Sequence, residues 1–192
     1  MSIQQALFAS SFQFTPAIQG LTLPGAVAGV ANSFNALLKR RYNQGYLNED
    51  PTWFDGKTPD TTEADYTIAI DSNADYYSVL WTGYFYVPQT GLYRFQTNSD
   101  DGSYVWMGSD ALSGYTTGNA IVNNGGAHGI QGVVSSYYQM TAGDYYPVRI
   151  IFGEIGGGDY MRFLYEFNNN GNFIDTGLNS VFVYNSLSTE GF

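Results

Sequence analysis

From Tyr66 onward the chain is written in short runs of alternating apolar and polar residues, separated by clusters of turn formers. Tyr66-Thr67-Ile68-Ala69-Ile70 alternates with the period of a strand, and Tyr77 to Val87 (YSVLWTGYFYV) is dense in β-branched and aromatic residues. Pro88-Gln89-Thr90-Gly91 is a turn signal, and Leu92 to Thr97 reads as the returning strand of a hairpin. Asn98-Ser99-Asp100-Asp101-Gly102 turns the chain again into Ser103 to Met107 (SYVWM). Ala111 to Gly132 is loop-rich, Val133 to Met140 alternates, and Thr141 to Asp144 leads into Tyr145 to Phe152 (YYPVRIIF). A Gly-rich loop, Glu154 to Asp159 (EIGGGD), precedes Tyr160 to Phe167, and Phe182-Val183-Tyr184 forms a last short strand. Some eight or more short strands at turn spacings of roughly 8–12 residues predict an all-β fold, an antiparallel β-sandwich with long loops.

The first third is less regular. Phe12-Gln13-Phe14 alternates like a short strand. Val30 to Tyr42 (VANSFNALLKRRY) predicts the one short helix: Val30, Phe34, Leu37, Leu38 and Tyr42 fall near helical spacing. Lys39, Arg40 and Arg41 would then form a solvated helix end, favoured by the macrodipole. At 192 residues, with no repeat and no dividing linker, the expectation is one domain over residues 1–185, followed by a tail or linker at 186–192.

Composition narrows the function. The net charge is -10, with only 7 Lys and Arg, which argues against sequence-independent binding to nucleic-acid phosphates. The absence of Cys excludes disulfides, thiolate zinc sites, iron–sulfur clusters and Cys nucleophiles. The longest apolar stretch, Leu21 to Ala31, is far short of the roughly 18 residues that a membrane span requires, so membrane insertion is not expected. No basic residue precedes Lys39, so the charged start of a secretory leader is missing. The acidic, Lys-poor, Gly-, Asn- and Tyr-rich composition suits an extracellular bacterial module, a monomeric part of a larger protein.

The carboxylates carry the most information. Adjacent side chains of an ordinary strand point to opposite faces, so Asp100 and Asp101 would diverge. An unusual backbone, such as a cis peptide between them, would aim both at one point. Two like charges held together need a counter-charge, and Ca2+ fits best because it accepts 6–8 oxygen ligands in irregular loops. The second half of such a site is Glu154 to Asp159. Its consecutive glycines let the backbone curl and offer carbonyl oxygens, while Glu154 and Asp159 add carboxylates. The alternatives are that Asp100-Asp101-Gly102 is only a hairpin turn and the Gly-rich loop only a hairpin tip. Asp71-Ser72-Asn73-Ala74-Asp75 imitates the start of an EF-hand but has Tyr76 where Gly is required and Thr82 where Glu is required. The single His128 excludes multi-His metal sites, and no nucleophile-elbow motif accompanies it. It lies in the Asn123 to Gly129 loop, which is placed to rim a site. Tyr115 and Tyr160 lie in or beside loops and are the better candidates for stacking on a sugar ring.

The run Tyr77 to Gly108 resembles the signature of the protective-antigen-type (PA-14) domain: Trp-Thr-Gly-Tyr, then Pro-x-Thr-Gly-x-Tyr-x-Phe, Ser-Asp-Asp-Gly and Trp-x-Gly. Tyr145 to Ile150 and the Gly-rich loop after it look like the second hallmark of that family, and the likeness covers roughly Ala6 to Tyr184. The resemblance implies a β-sandwich of about twelve strands that binds carbohydrate through calcium, without enzymatic activity. It implies Asp100, Asp101, Glu154, Gly156, Gly158 and Asp159 as calcium ligands. It implies Asp100, Asp101, Gly156, Gly157, Asp159, Tyr160 and His128 around the sugar, whose neighbouring hydroxyls ligate the ion. Yeast adhesins of the sugar-binding branch usually carry Asn near the place of Glu154, and they have disulfides. The Cys-free chain is more similar to the ligand-binding module of very large, calcium-dependent, repeats-in-toxin type bacterial adhesins. The expected role is attachment to cell-surface glycans or polysaccharides, as in biofilm adhesion. A glycosidase-associated domain and a purely structural calcium-binding sandwich are the alternatives.

Overall fold

The strand-rich segments pair antiparallel into two sheets in the computed structural model, which describes residues 18–176 and 181–192. The described elements are β1 (Ser33–Phe34), β2 (Leu37–Tyr42), β3 (Thr61–Asp65), β4 (Ala69–Ser72), β5 (Tyr77–Tyr86), β6 (Gly91–Asp100), β7 (Ser103–Met107), α1 (Ser109–Leu112), β8 (Val122–Asn124), β9 (Gln131–Val134), β10 (Tyr138–Met140), β11 (Tyr145–Glu154), β12 (Asp159–Phe167), β13 (Phe173–Asp175) and β14 (Phe182–Asn185). One sheet runs β1-β14-β5-β11-β7-β8, with β2 on β5 and β3 on β2. The other runs β10-β6-β12-β13, with β4 on β12 and β9 on β6. The predicted β-sandwich is what forms.

Between the sheets lies an aromatic core that includes Trp81, Phe85, Phe95, Phe152 and Phe163. Phe95 and Phe163, on neighbouring strands, stack at 5.9 Å between centroids. Strands β5, β7 and β11 are buried on both faces. Their outer face carries a second cluster of Tyr42, Leu47, Phe54, Leu80, Tyr104, Trp106 and Ile151. This explains why their sequences are apolar almost throughout rather than alternating.

The helix expected over Val30 to Tyr42 does not form; β1 and β2 take its place. Arg40 on β2 pairs with Leu80 of β5 and Thr62 of β3, so ladder hydrogen bonds on both edges outweigh a pattern that suits either period. The basic run is correspondingly not a solvated end. Lys39 lies 3.1 Å from Glu63, Arg40 is buried against Glu190, and the Arg41 guanidinium sits 3.5 Å over the Tyr77 ring. Among the described residues the short helix is α1 instead.

The run Tyr66 to Ile70 is split by Ile68 at φ 42°, with β4 starting after it. Val133 to Met140 forms two strands, β9 and β10, each pairing with a different part of β6. Residues 186–192, expected as a tail or linker, lie against the outer face. Glu190 O accepts from Thr82 Oγ1 at 2.5 Å, and Phe192 packs edge-on against Tyr84. Phe12-Gln13-Phe14 lies outside the described residues.

Candidate metal and ligand site

Four connections cross from one sheet to the other at the same end of the sandwich. They are residues 73–76 between β4 and β5, 101–102 between β6 and β7, 125–130 between β8 and β9, and 155–158 between β11 and β12. Asp100-Asp101-Gly102 is therefore not a hairpin turn but a corner between sheets. The Gly-rich loop is a second such corner. Pairing of Asp100 with Tyr160, Ser72 with Asp159 and Glu154 with Tyr77 brings these corners side by side.

The Asp100–Asp101 peptide is cis, the unusual backbone expected from the sequence. Asp100, Asp101 and Glu154 each bring a carboxylate oxygen within 4.8 Å of the other two. Asp101 and Glu154 are buried, and Asp100 is half-buried. Both Asp101 oxygens are held by backbone amides: His128 N–H donates to Oδ1 at 2.8 Å and Ile155 N–H to Oδ2 at 3.0 Å. Glu154 Oε2 accepts from Asp101 N–H at 3.1 Å and Oε1 from Gly156 N–H at 2.6 Å. Each loop thus positions the acid of the other.

Asp159 stands beside this trio without belonging to it. Its Oδ2 accepts from Ser72 Oγ at 2.6 Å and from the Tyr77 hydroxyl, while Oδ1 is buried with no partner at hydrogen-bond distance among the described residues. Burial pushes the Asp159 carboxyl up, but donation from Ser72 and Tyr77, with that of the Asp159 and Ala74 amides, outweighs it and holds the group below its ordinary value. Burial, and then the Asp101 charge, pushes the Glu154 carboxyl up to about 7. The same two causes raise Asp100. Among the described residues no Lys or Arg forms an ion pair with any of these four acids.

That donor set fits a hard divalent cation. Among the described residues it supplies convergent carboxylate oxygens, one buried acceptor without a partner at hydrogen-bond distance and no basic side chain to neutralise it. Two like charges raise each other's protonation until an external positive charge balances them.

The other expected residues fall around the cluster in different roles. Gly156, Gly157 and Gly158 are exposed, and Gly157 adopts φ 113°. The amide of Gly157 donates to Asp75 Oδ1 at 3.1 Å, so the 73–76 connection supports the Gly-rich one. Tyr160 lies between Asp71 and Asp100 in the sheet, with the Arg162 guanidinium 4.6 Å over its ring. His128 spends its amide on Asp101, and its ring nitrogens lie 3.0 Å from Gly129 O and 3.2 Å from Asn124 O, binding its own loop together. Tyr115 is elsewhere: its hydroxyl donates to Asp55 on the outer face of the larger sheet.

Sequence reasoning missed Ser72, Tyr77 and Asp75, which hold Asp159 and the Gly-rich loop. Ser72 and Asp75 stood in the EF-hand imitation, which marked a polar loop without revealing its neighbours. Tyr77 gave no signal beyond its strand.

The fold is the one seen in PA14 domains of known structure, and comparison with known proteins adds a partial family match. Residues 77–166 match the family model of the GLEYA domain, a span that contains Asp100, Asp101, Glu154 and Asp159. The A domain of epithelial adhesin 9 from Candida glabrata, solved in complex with Galβ1-4GlcNAc, superposes with a TM-score of 0.63 at 16% identity, covering 82% of this chain and 94% of the adhesin domain. The PA14 domain of the antifreeze protein MpAFP gives 0.61 at 15% identity over 81% of this chain and 93% of that domain. The PA14 sugar-binding domain of an RTX adhesin gives 0.55 at 16% identity over 73% and 93%. No curated protein matches the sequence.

Proposed function

We propose that this domain is a calcium-dependent lectin module, an extracellular part of an adhesin that attaches its parent protein to glycans. The observation that carries the reading is the convergence of Asp100, Asp101 and Glu154 within 4.8 Å at the end of the sandwich where four loops cross. These three residues would hold the ion, with Asp159 adjoining them and carbonyls of the Gly-rich loop completing the cage. A bound calcium ion supplies coordination positions that two neighbouring sugar hydroxyls can fill in place of water.

The protein's own contribution is orientation. Amides of His128, Ile155 and Gly156 fix the carboxylates before any ligand arrives, so little ordering cost falls on binding. Tyr160, Gly156, Gly157 and the His128 loop stand where they would contact the sugar. Galactosides are the first ligands to test, because the adhesin domain of similar fold was solved with Galβ1-4GlcNAc. Affinity for a single sugar should be weak, because hydroxyls exchange evenly between water and protein. Many copies on one surface would compensate through avidity.

A glycan array probed with and without calcium tests the reading. Binding to a defined set of glycans that disappears in EDTA is expected. Glycan binding unchanged by chelation would overturn the mechanism, and turnover of glycosides in an activity screen would favour an enzyme instead.

A further inference from the structure

The outer face of the eight-stranded sheet carries a cavity of about 850 Å³, walled by β2, β5 and β11, the 54–59 segment and the returning residues 188–190. This volume is in the range of small-molecule sites. Three of the chain's 7 basic residues line it: Arg40, Lys57 and Arg149. Two of these are already engaged. Arg40 Nη1 lies 2.7 Å from Glu190 Oε2, and Lys57 Nζ donates to Trp53 O at 2.5 Å.

Arg149 is different. It is 93% buried, since its relative exposure is 7%. Its Nε donates to Ala111 O at 3.3 Å, and its guanidinium lies 4.1 Å over the Tyr115 ring. Neither terminal nitrogen has a hydrogen-bond partner among the described residues, and no carboxylate there comes within 4.0 Å. A mostly buried arginine whose unpaired terminal nitrogens stay accessible at the wall of a cavity is a preformed fork for a planar oxyanion.

We infer that this cavity is a second ligand site, which receives a small organic carboxylate on Arg149. The lining selects the ligand's charge. Three cations face two acids, Asp55 and Glu190, which leaves one positive charge for a monoanion. Those acids also oppose a doubly charged phosphate. The lining selects the ligand's body as well: Leu38, Tyr42, Phe54 and Leu80 offer apolar contact, and the Thr62 side chain offers a hydroxyl. An acidic sugar or a comparable hydroxylated ring acid combines both features. The site is independent of the carboxylate cluster, because Arg149 lies five residues before Glu154 on β11, about 17 Å away at ~3.4 Å per residue.

The test is a titration of the ¹⁵N-labelled protein, stripped of calcium and then dialysed free of chelator, with D-glucuronate, and in parallel with D-glucose and sulfate. Saturable binding of glucuronate is expected, with shifts at the Arg149 Nε–Hε and Tyr115 resonances and none from glucose. Arg149→Lys should weaken glucuronate at least tenfold, because an ammonium cannot make the bidentate contact. Should that variant fail to fold, the wild-type shift map decides. Shifts that avoid Arg149 and Tyr115 overturn the site, as does the absence of saturation. Sulfate binding as tight as glucuronate overturns the carboxylate assignment. Loss of calcium-dependent glycan binding elsewhere leaves these readouts unaffected, so the two proposals stand or fall separately.

Discussion

Asp101 and Glu154, 53 residues apart, are each fixed by the other's loop: Asp101 N–H donates to Glu154 Oε2 at 3.1 Å, and Ile155 N–H donates to Asp101 Oδ2 at 3.0 Å. The two inter-sheet corners therefore behave as one unit. Disturbing either acid should disturb both.

Glu154→Gln separates the ion's requirements from the fold's. The substitution removes one of several buried like charges but turns an amide NH2 toward one of the two N–H donors that Glu154 accepts from, so in EDTA the two effects should offset to within about 1 kcal/mol, roughly 2–4 °C in melting temperature. In calcium the wild type should melt clearly above the variant, because an ion that binds only the native state would stabilise it. Thermal melts of both proteins, with calcium and with EDTA, check this divergence.

Tyr77→Phe deletes the hydroxyl that donates to Asp159 and leaves the ring packed against Phe152. The fold should persist with a loss of about 1 kcal/mol. Calcium affinity should fall several-fold, as measured by titration calorimetry, because Asp159 loses one of the two side-chain groups that orient it. Ser72→Ala should act in the same direction.

Gly102→Ala probes the corner sterically. A Cβ there would meet Gly126 O at 2.9 Å, and backbone cannot yield as a side-chain tip can. A cost of roughly 1–3 kcal/mol is expected, together with weaker calcium binding. Chemical denaturation and calcium titration measure the two effects.

Acid sensitivity should come from Asp159 beside the site and from two further carboxyls outside it. Burial raises the Glu166 carboxyl, but donation from Gly171 N–H and Arg94 outweighs it and holds the group below its ordinary 4.5. A depressed folded-state value stabilises the protein fully above the unfolded-state value. That contribution is lost as pH falls below about 4.5 and through the lower folded value. Asp65, held by Thr67 N–H and Trp81 Nε1–H against the effect of its burial, adds the same sign. Glu166→Gln should therefore be less stable at neutral pH and show a shallower decline in acid, read from urea midpoints across pH in EDTA.

Strands buried between or paired within the sheets were legible from local pattern: Tyr77 to Val87 and Ser103 to Met107 fall almost on β5 and β7. The adjacent acids were legible too, because a strand separates neighbouring side chains and chemistry that needs both must bend the backbone. The Lys39-Arg40-Arg41 run was misread because its residues suit either a helix or a strand sandwiched between two others. Only the distant partners Thr62 and Leu80 decide between these. The arrangement around Asp159 was not legible, since Ser72 and Tyr77 reach it across 87 and 82 positions. The Arg149 cavity was equally hidden. Its walls come from strands, a surface segment and the end of the chain, and no single stretch of sequence announces them.

On the proposed reading, Asp100, Asp101 and Glu154 share a calcium ion that meets the sugar directly. A crystal structure grown with calcium chloride and Galβ1-4GlcNAc tests it most directly. Anomalous density for calcium is predicted at 2.3–2.6 Å from oxygens of all three residues, roughly the usual calcium–oxygen distance, with two neighbouring galactose hydroxyls on its open side. A glycan seated elsewhere, or a cluster that stays free of the ion at saturating calcium, would contradict the account.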